Sequence, residues 1–489
     1  MGSGPLIAVV DDDTSLREAL SGLLSAYGYR IDAYASGHDL LASPKLALYA
    51  LFILDVQMPV IDGLQLQAEL LEAGAHICGF AETLPAALRE RYAPAPGDED
   101  LALLHCRRAT FEYVMRGHVG RLAGVEIVSH ARVTGLVARR KGELLVVRGL
   151  ECERAGVAEK YHADITIDAS GRSSQFPNWL RSEGVSVGEE SVPAGILYFT
   201  RHYRFLAGRS HPSLDAGSLG GDLGYLKYGI CPADNGHFSI TLAVPEGEQG
   251  LRHAILEPAK FDSLCAQIPS CALWTDPDLA EPVSQVLPMA NLTNLWRSFL
   301  KQEQPQLLGF FAIGDAAIRT NPLYGRGCSA GFAHAQLLRD VIEESEDPAR
   351  RAVMLEEQTR ALFRPYYEIS VRQDHHSIER ARQGDGAALS AAASKTSTPK
   401  AIKARLKRSL IEHGLSPAMQ GDINVVRAQA HVFHMLDPPI SWTKRPALLA
   451  RILWMWAMPR AAKQRLYGPA PGPSREQLLT RVCSAGAAA

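Results

Sequence analysis

Two short apolar runs that stop abruptly on acids constrain this chain more than any other feature. Ile7-Ala8-Val9-Val10 ends at Asp11, Asp12 and Asp13, and Leu51-Phe52-Ile53-Leu54 ends at Asp55. Apolar runs of this length, bounded by polar residues, read as buried strands. Between them, Thr14 or Asp13 can cap a helix whose Leu16, Leu20, Leu23 and Leu24 keep helical spacing. Gly28 stops that helix, and Arg30-Ile31-Asp32-Ala33-Tyr34 reads as a second strand. A weaker helical stretch spans His38 to Leu48, and a loop containing Met58-Pro59 and Asp62-Gly63 leads into a helix through Leu64, Leu66 and Leu70. The order βαβαβα over residues 6–70 predicts a parallel sheet with right-handed crossovers. Ligands of open α/β sheets bind at the carboxyl ends of the strands, where Asp11, Asp12 and Asp55 fall. Three converging carboxylates cannot all stay ionised without a cation, and hard oxygen ligands suit Mg²⁺.

With Arg17 after the first acids and Asp55-Val-Gln-Met-Pro-Val-Ile-Asp-Gly63 after the third strand, this segment resembles a response-regulator receiver domain. The resemblance implies that Asp11 and Asp12, with Asp55, hold Mg²⁺. It also implies that Asp55 accepts phosphate, with a histidine kinase as phosphodonor. The family needs a fourth strand ending in Ser or Thr and a fifth ending in Lys. After Leu70 only Thr83 offers a nearby hydroxyl, and no strand ending in Lys follows. The sequence therefore carries the first half of a receiver. Half a sheet leaves an open strand edge, which predicts that these strands continue into a later sheet.

From about residue 67 the pattern changes. Glu82-Thr83-Leu84-Pro85 precedes a helix, and another opens at Cys106-Arg107-Arg108. Val125 to Val128, Ala131 to Val137 and Leu144 to Val147 are strand-like, with a turn at Lys141-Gly142. Ala163 to Asp168 is an apolar strand running into Asp168-Ala-Ser-Gly171-Arg172-Ser-Ser, and Leu308 to Asp315 is a second strand that ends on an acid. Asn321-Pro322-Leu-Tyr-Gly325-Arg-Gly327 and a helix from Cys328 through Leu338 follow it. Glycines before a helix allow close backbone approach to a ligand, and a helix N-terminus offers unpaired N–H groups. Together these units resemble flavoprotein monooxygenases of the para-hydroxybenzoate hydroxylase type, with halogenase-like and geranylgeranyl-reductase-like relatives, over about residues 70–345. The resemblance implies FAD, with NAD(P)H as reductant and a small organic substrate. Its cofactor residues would be Asp168, Gly171 and Arg172 in one motif, Gly314, Asp315, Pro322, Gly325 and Gly327 in the other, and Arg108 on a flanking helix. It names no catalytic residue.

The dinucleotide fingerprint of that family is missing. No G-x-G-x-x-G stands between a strand and a helix; Gly217 to Gly221 reads as a loop. Where a pyrophosphate needs bare N–H groups, the Asp11 turn presents carboxylates. The expected architecture is thus α/β: a partial receiver over 1–66, and a flavoprotein monooxygenase-like body over 67–345 that lacks its first βαβ. The body includes an antiparallel substrate-domain sheet at 185–300, and a helical region covers 346–489. We read the chain as a fusion joined near Gln67–Leu71.

Composition bears on location and partners. A formal charge of −2 across 489 residues gives no global field for nucleic acid. The longest notable apolar run, Leu46 to Leu54, is about half of what a bilayer needs. No secretory signal fits the start, and eight cysteines form no CxxC pair, so a cytoplasmic protein with reduced thiols is expected. Gly384 to Ser394 reads as a linker. Three further features take ordinary readings. Trp454-Met-Trp456-Ala-Met-Pro459 reads as an amphipathic helix ended by Pro. Asp374-His375-His376 reads as helix residues on different faces. Lys395 to Arg408, with six positive charges and no acid, reads as a solvated linker and helix face.

Overall fold

The computed structural model describes residues 6–10, 14–35, 40, 43, 45, 51–54, 59–84, 86–212, 219–384, 406, 409–459, 462 and 472–485. The chain divides into two compact units, one of residues 1–76, 104–127 and 233–235, the other of the remainder.

In the first unit, strand β1 (Leu6–Val10) lies between β2 (Arg30–Tyr34) and β3 (Leu51–Leu54), all parallel. Ala8 and Val9 are completely buried, as the apolar run requires. Helix α1 (Thr14–Ala26) ends where Gly28 turns left-handed at φ 88°, its N–H bonding the Ser25 carbonyl at 2.9 Å. Among the described residues the ladders of this sheet stay within its three strands, against the expectation that they continue into a later one. Helix packing supplies the burial instead. Helix α2 (Pro59–Glu72) sets Leu66 and Leu70 against Phe111 and Val114 of α3 (Arg108–Val119), and Glu69 takes an Arg121 hydrogen bond at 2.5 Å. The loop 233–235 clasps the start of α3. Asp234, wholly buried, accepts from the Arg107 N–H at 2.5 Å, from its guanidinium at 2.6 and 3.0 Å, and from the Thr110 hydroxyl at 2.8 Å. Burial alone would raise its pKa, but these donors hold the carboxyl well below its ordinary range. The compact unit therefore takes in a helix that the sequence assigned to the body.

The second unit is mixed α/β. Strands β4 (Ala131–Lys141) and β5 (Leu144–Arg154) form a hairpin across Gly142, and Val157–His162 adds to β5. The expected strand at Val125–Val128 is irregular. Val125 and Ile127 stay exposed, and without a partner an alternating pattern gains no ladder. Leu307–Leu308 pairs in parallel with β5, and the chain then bends at Gly309, where a Cβ would sit 2.5 Å from the Val147 carbonyl oxygen. Beyond the bend, β6 (Thr166–Asp168) receives a parallel partner from Phe310–Ala312. The sheet expected over 185–300 is antiparallel, in the order Gly220–Asp222, Lys227–Pro232, His237–Pro245, Ile196–Phe205, Ala280–Pro282. Its core includes Phe199, Phe238, Ile240 and Leu242, and Leu478 of the last helix (Arg475–Ala485) joins it.

The region after residue 345 is helical, led by a 37-residue helix, Pro348–Gly384. Ile423–Phe433 packs its Val426 and Ala430 on Phe80, Leu84 and Leu101, and Arg427 grips the buried Asp98 at 2.5 and 2.9 Å. No helix among the described residues is long and apolar enough to cross a membrane.

Candidate functional site

The two acid–glycine motifs, far apart in sequence, leave the sheet side by side. Phe310, Phe311 and Ala312 pair in register with Thr166, Ile167 and Asp168. The Ile313 N–H then donates to the Asp168 carbonyl at 3.0 Å, and a Cβ on Gly171 would lie 4.0 Å from the Asp315 Cβ.

Their carboxylates differ. Asp168 is 1% exposed and accepts from the Ser170 N–H at 2.9 Å, the Ser170 hydroxyl at 2.5 Å and the Ser174 hydroxyl at 2.5 Å. The structure thus makes Asp168 the brace of its own turn, where the resemblance made it a cofactor contact. Asp315, in contrast, is exposed on the short turn Gly314–Ala316. Gly314 takes φ 57°, a conformation that favours glycine, and its N–H donates to His334 Nδ1 at 3.2 Å. With Nδ1 accepting, Nε2 carries the proton and donates to the Thr359 hydroxyl at 3.1 Å. Burial lowers the His334 pKa to about 4, so the ring is neutral near pH 7. Arg319 links the first turn to the strands behind it: it donates to the Arg172 carbonyl at 3.5 Å and to the Thr293 hydroxyl at 2.6 Å. Burial lowers its pKa, and the Asp315 charge opposes that effect. The Arg172 side chain is exposed.

The Pro322–Gly327 loop hangs from a buried polar network. Asn321, 2% exposed, accepts from the Leu323 N–H at 3.1 Å and from the Tyr198 hydroxyl, and it donates to the Asn294 and Asp374 side chains at 2.9 and 2.7 Å. Asn294 donates to the other Asp374 oxygen at 2.7 Å. Pro322 and Gly325 are exposed, Gly325 has φ 65°, and Gly327 opens the helix Gly327–Glu344. Asp374 is therefore a buried anchor of this loop.

Sequence reasoning missed His334, Arg319, Asn294 and this role of Asp374. The first three sit in no local motif, Asp374 stands in a cluster with His375 and His376 that gives no sign of this role, and only the fold brings them to the turns. Arg108 belongs to the other unit, where it is 83% exposed and pairs with Glu112 at 2.6 Å. Asp11, Asp12 and Asp55, with the Mg²⁺ and phosphoacceptor roles expected of them, lie outside the described residues.

Residues 7–78 match the response regulator receiver domain family. The amino-terminal segment is a receiver segment. Its match runs a few residues past Leu70 and covers neither the hydroxyl-bearing nor the Lys-bearing strand end. Over 72 residues the segment is 33% identical to Nodulation protein W of Bradyrhizobium diazoefficiens, which is 15% of this chain and 32% of that protein. The chain is also similar to Protein Rv3254 of Mycobacterium tuberculosis, 26% identical over 320 residues, covering 61% of this chain and 60% of the relative. The chain thus spans less than two thirds of either curated relative. Among solved structures it is similar to CndH, described as a myxobacterial FAD-dependent halogenase. That likeness has 15% identity and a TM-score of 0.49, and it covers 88% of this chain and 97% of that one.

Proposed function

We propose that the chain joins its receiver segment to an FAD-type oxidoreductase body, of the monooxygenase or halogenase kind, whose flavin site is half built. The parallel register of Thr166–Asp168 with Phe310–Ala312 carries this reading, because it sets the Gly171 and Gly314–Asp315 turns beside each other. An exposed carboxylate on a glycine turn suits the hydroxyls of a ribityl chain, and the loop held by Asn321 offers exposed backbone for a ring edge. The pyrophosphate half does not fit. The sequence holds no G-x-G-x-x-G between a strand and a helix to bring bare N–H groups to a pyrophosphate. The family's chemistry, in which NAD(P)H reduces the flavin and oxygen passes to a small organic substrate, requires a fully held cofactor. The test is the flavin-to-protein absorbance ratio after gel filtration. Colourless or substoichiometric protein is expected, and a stoichiometric FAD complex would refute the half-built site.

The receiver match favours a second, concurrent role for the first unit. Mg²⁺ at Asp11, Asp12 and Asp55 would support phosphorylation of Asp55 by a phosphodonor such as a histidine kinase or acetyl phosphate. Without the Thr and Lys of the family, no group reads the phosphate out.

A further inference from the structure

Two arginines beside the acid–glycine turns carry charge that no carboxylate meets directly. Their neighbours are engaged: Arg297 holds Glu189 at 3.0 Å and the Ala316 carbonyl at 2.7 Å, and Arg181 shares Glu189 at 3.2 Å. Arg319 is different. Its guanidinium is half-buried and donates only to neutral acceptors, the Thr293 hydroxyl at 2.6 Å, the Thr293 carbonyl at 3.2 Å and the Arg172 carbonyl at 3.5 Å. The Arg172 side chain is exposed and has no hydrogen bond or ion pair among the described residues.

A charge taken out of water normally meets an opposite charge. Arg319 feels the like charges of Arg172 and Arg297 as well as the carboxylates of Asp315 and Glu189, and burial leads the causes that lower its pKa. Counting Arg181, four guanidiniums stand against two carboxylates at this edge of the sheet. An excess of two positive charges suits a phosphate monoester, which carries about −1.5 to −2 near pH 7.

Strand pairing fixes where this excess lies. Arg319 pairs with Leu295 in an antiparallel ladder, four residues after Asp315. Arg172 directly follows Gly171, whose Cβ position lies 4.0 Å from the Asp315 Cβ. Both cations therefore flank the exposed carboxylate that suits ribityl hydroxyls. A ribityl chain ends in a phosphate a few atoms from those hydroxyls. In a dinucleotide that phosphate continues into a pyrophosphate and an adenosine, for which the sequence holds no G-x-G-x-x-G. In a mononucleotide it ends the molecule, and guanidiniums are well-matched donors for it.

On the flavin reading of these turns, we propose that the chain selects FMN over FAD, with Arg172 and Arg319 holding the terminal phosphate while Asp315 faces the ribityl hydroxyls. Thr293 orients Arg319 from behind, and Arg172, on the open side, closes on the phosphate.

Equilibrium dialysis of the full chain against riboflavin, FMN and FAD tests it. FMN should bind about tenfold more tightly than riboflavin, which lacks the phosphate, and about tenfold more tightly than FAD, whose adenosine has no glycine turn to receive it. Arg172→Gln should weaken FMN binding by about tenfold and leave riboflavin binding unchanged. Arg172→Lys keeps the charge and should retain most of the preference. R172Q/R319Q should weaken FMN binding by about a hundredfold, with circular dichroism as the check on folding. Arg172 is exposed and unengaged, so the single variant decides the matter if the double one unfolds. Equal affinity for riboflavin and FMN, tighter binding of FAD, or an FMN preference that Arg172→Gln leaves intact would overturn the assignment while the flavin reading stands. No binding of any of the three would overturn the flavin reading and the assignment with it.

Discussion

The Asp168 turn and the Asp315 turn share one sequence pattern and leave adjacent parallel strands, yet they are built oppositely. The first is self-braced: its carboxylate is buried and accepts every hydrogen bond named for it from Ser170 and Ser174, within six residues. The second is braced from outside, by His334 of a later helix through the Gly314 N–H, and leaves its carboxylate exposed. A buried carboxylate must find donors inside the protein, and once it has them it has little left for a ligand. The pattern of strand, acid and glycine marks a turn; burial decides whether the acid serves the fold or faces outward. The adjacent arginines repeat the contrast, Arg107 locked on buried Asp234 and Arg108 in an exposed pair.

The largest expected effect concerns what the outward-facing turn lacks. Replacing residues 1–66 with a family-type βαβ carrying G-x-G-x-x-G should raise FAD affinity by several orders of magnitude, because several charge-assisted hydrogen bonds of about 1.5–3 kcal/mol each are restored. Flavin absorbance after gel filtration measures it; a chimera as colourless as the parent would show that the Asp315 turn is no flavin site.

Next in size is the external brace. His334 has a folded pKa of about 4, below its ordinary 6.5, so the unfolded chain binds its proton first as pH falls. Stability should be full above about 6.5 and fall by about 3 kcal/mol as pH drops towards 4. His334→Gln keeps an acceptor for the Gly314 N–H and should flatten that dependence between pH 7 and pH 4.5 in urea melts; an unchanged slope would remove His334 as the cause.

Asp168→Ala and Asp315→Ala test the contrast directly. The first strands three donors and should destabilise by about 3 kcal/mol, the second by no more than about 0.5 kcal/mol. Equal losses in denaturant midpoint would erase the distinction. Arg107→Ala should cost about 2 kcal/mol by leaving Asp234 buried with fewer donors, against a few tenths for Arg108→Ala. The Asp234 contribution, from a depressed carboxyl, is present above its unfolded pKa and should be lost as pH falls through the lower folded value. The smallest effect is a null: with acetyl phosphate and Mg²⁺, amide exchange beyond residue 130 should not change, and protection changes there would reveal a working switch.

Local order carried much of this protein into the sequence. The apolar runs Ile7–Val10 and Leu51–Leu54, the stop at Gly28, the alternation of Leu197–Tyr203 and the acid–glycine turns are all set by neighbouring residues, through strand periodicity and backbone freedom at glycine, and were legible without a structure. The same holds for the absent glycine fingerprint and the basic run Lys395 to Arg408, which are matters of composition. Tertiary structure alone decided that Thr166–Asp168 pairs with Phe310–Ala312, that helix Arg108–Val119 joins the receiver segment's unit, that His334 and Asp374 brace the Gly314 turn and the Pro322–Gly327 loop, and that Leu453 and Trp454 stay outside the core. Those outcomes depend on which surfaces meet and which polar groups then lose water, and residues far apart in the chain leave no local pattern that records it.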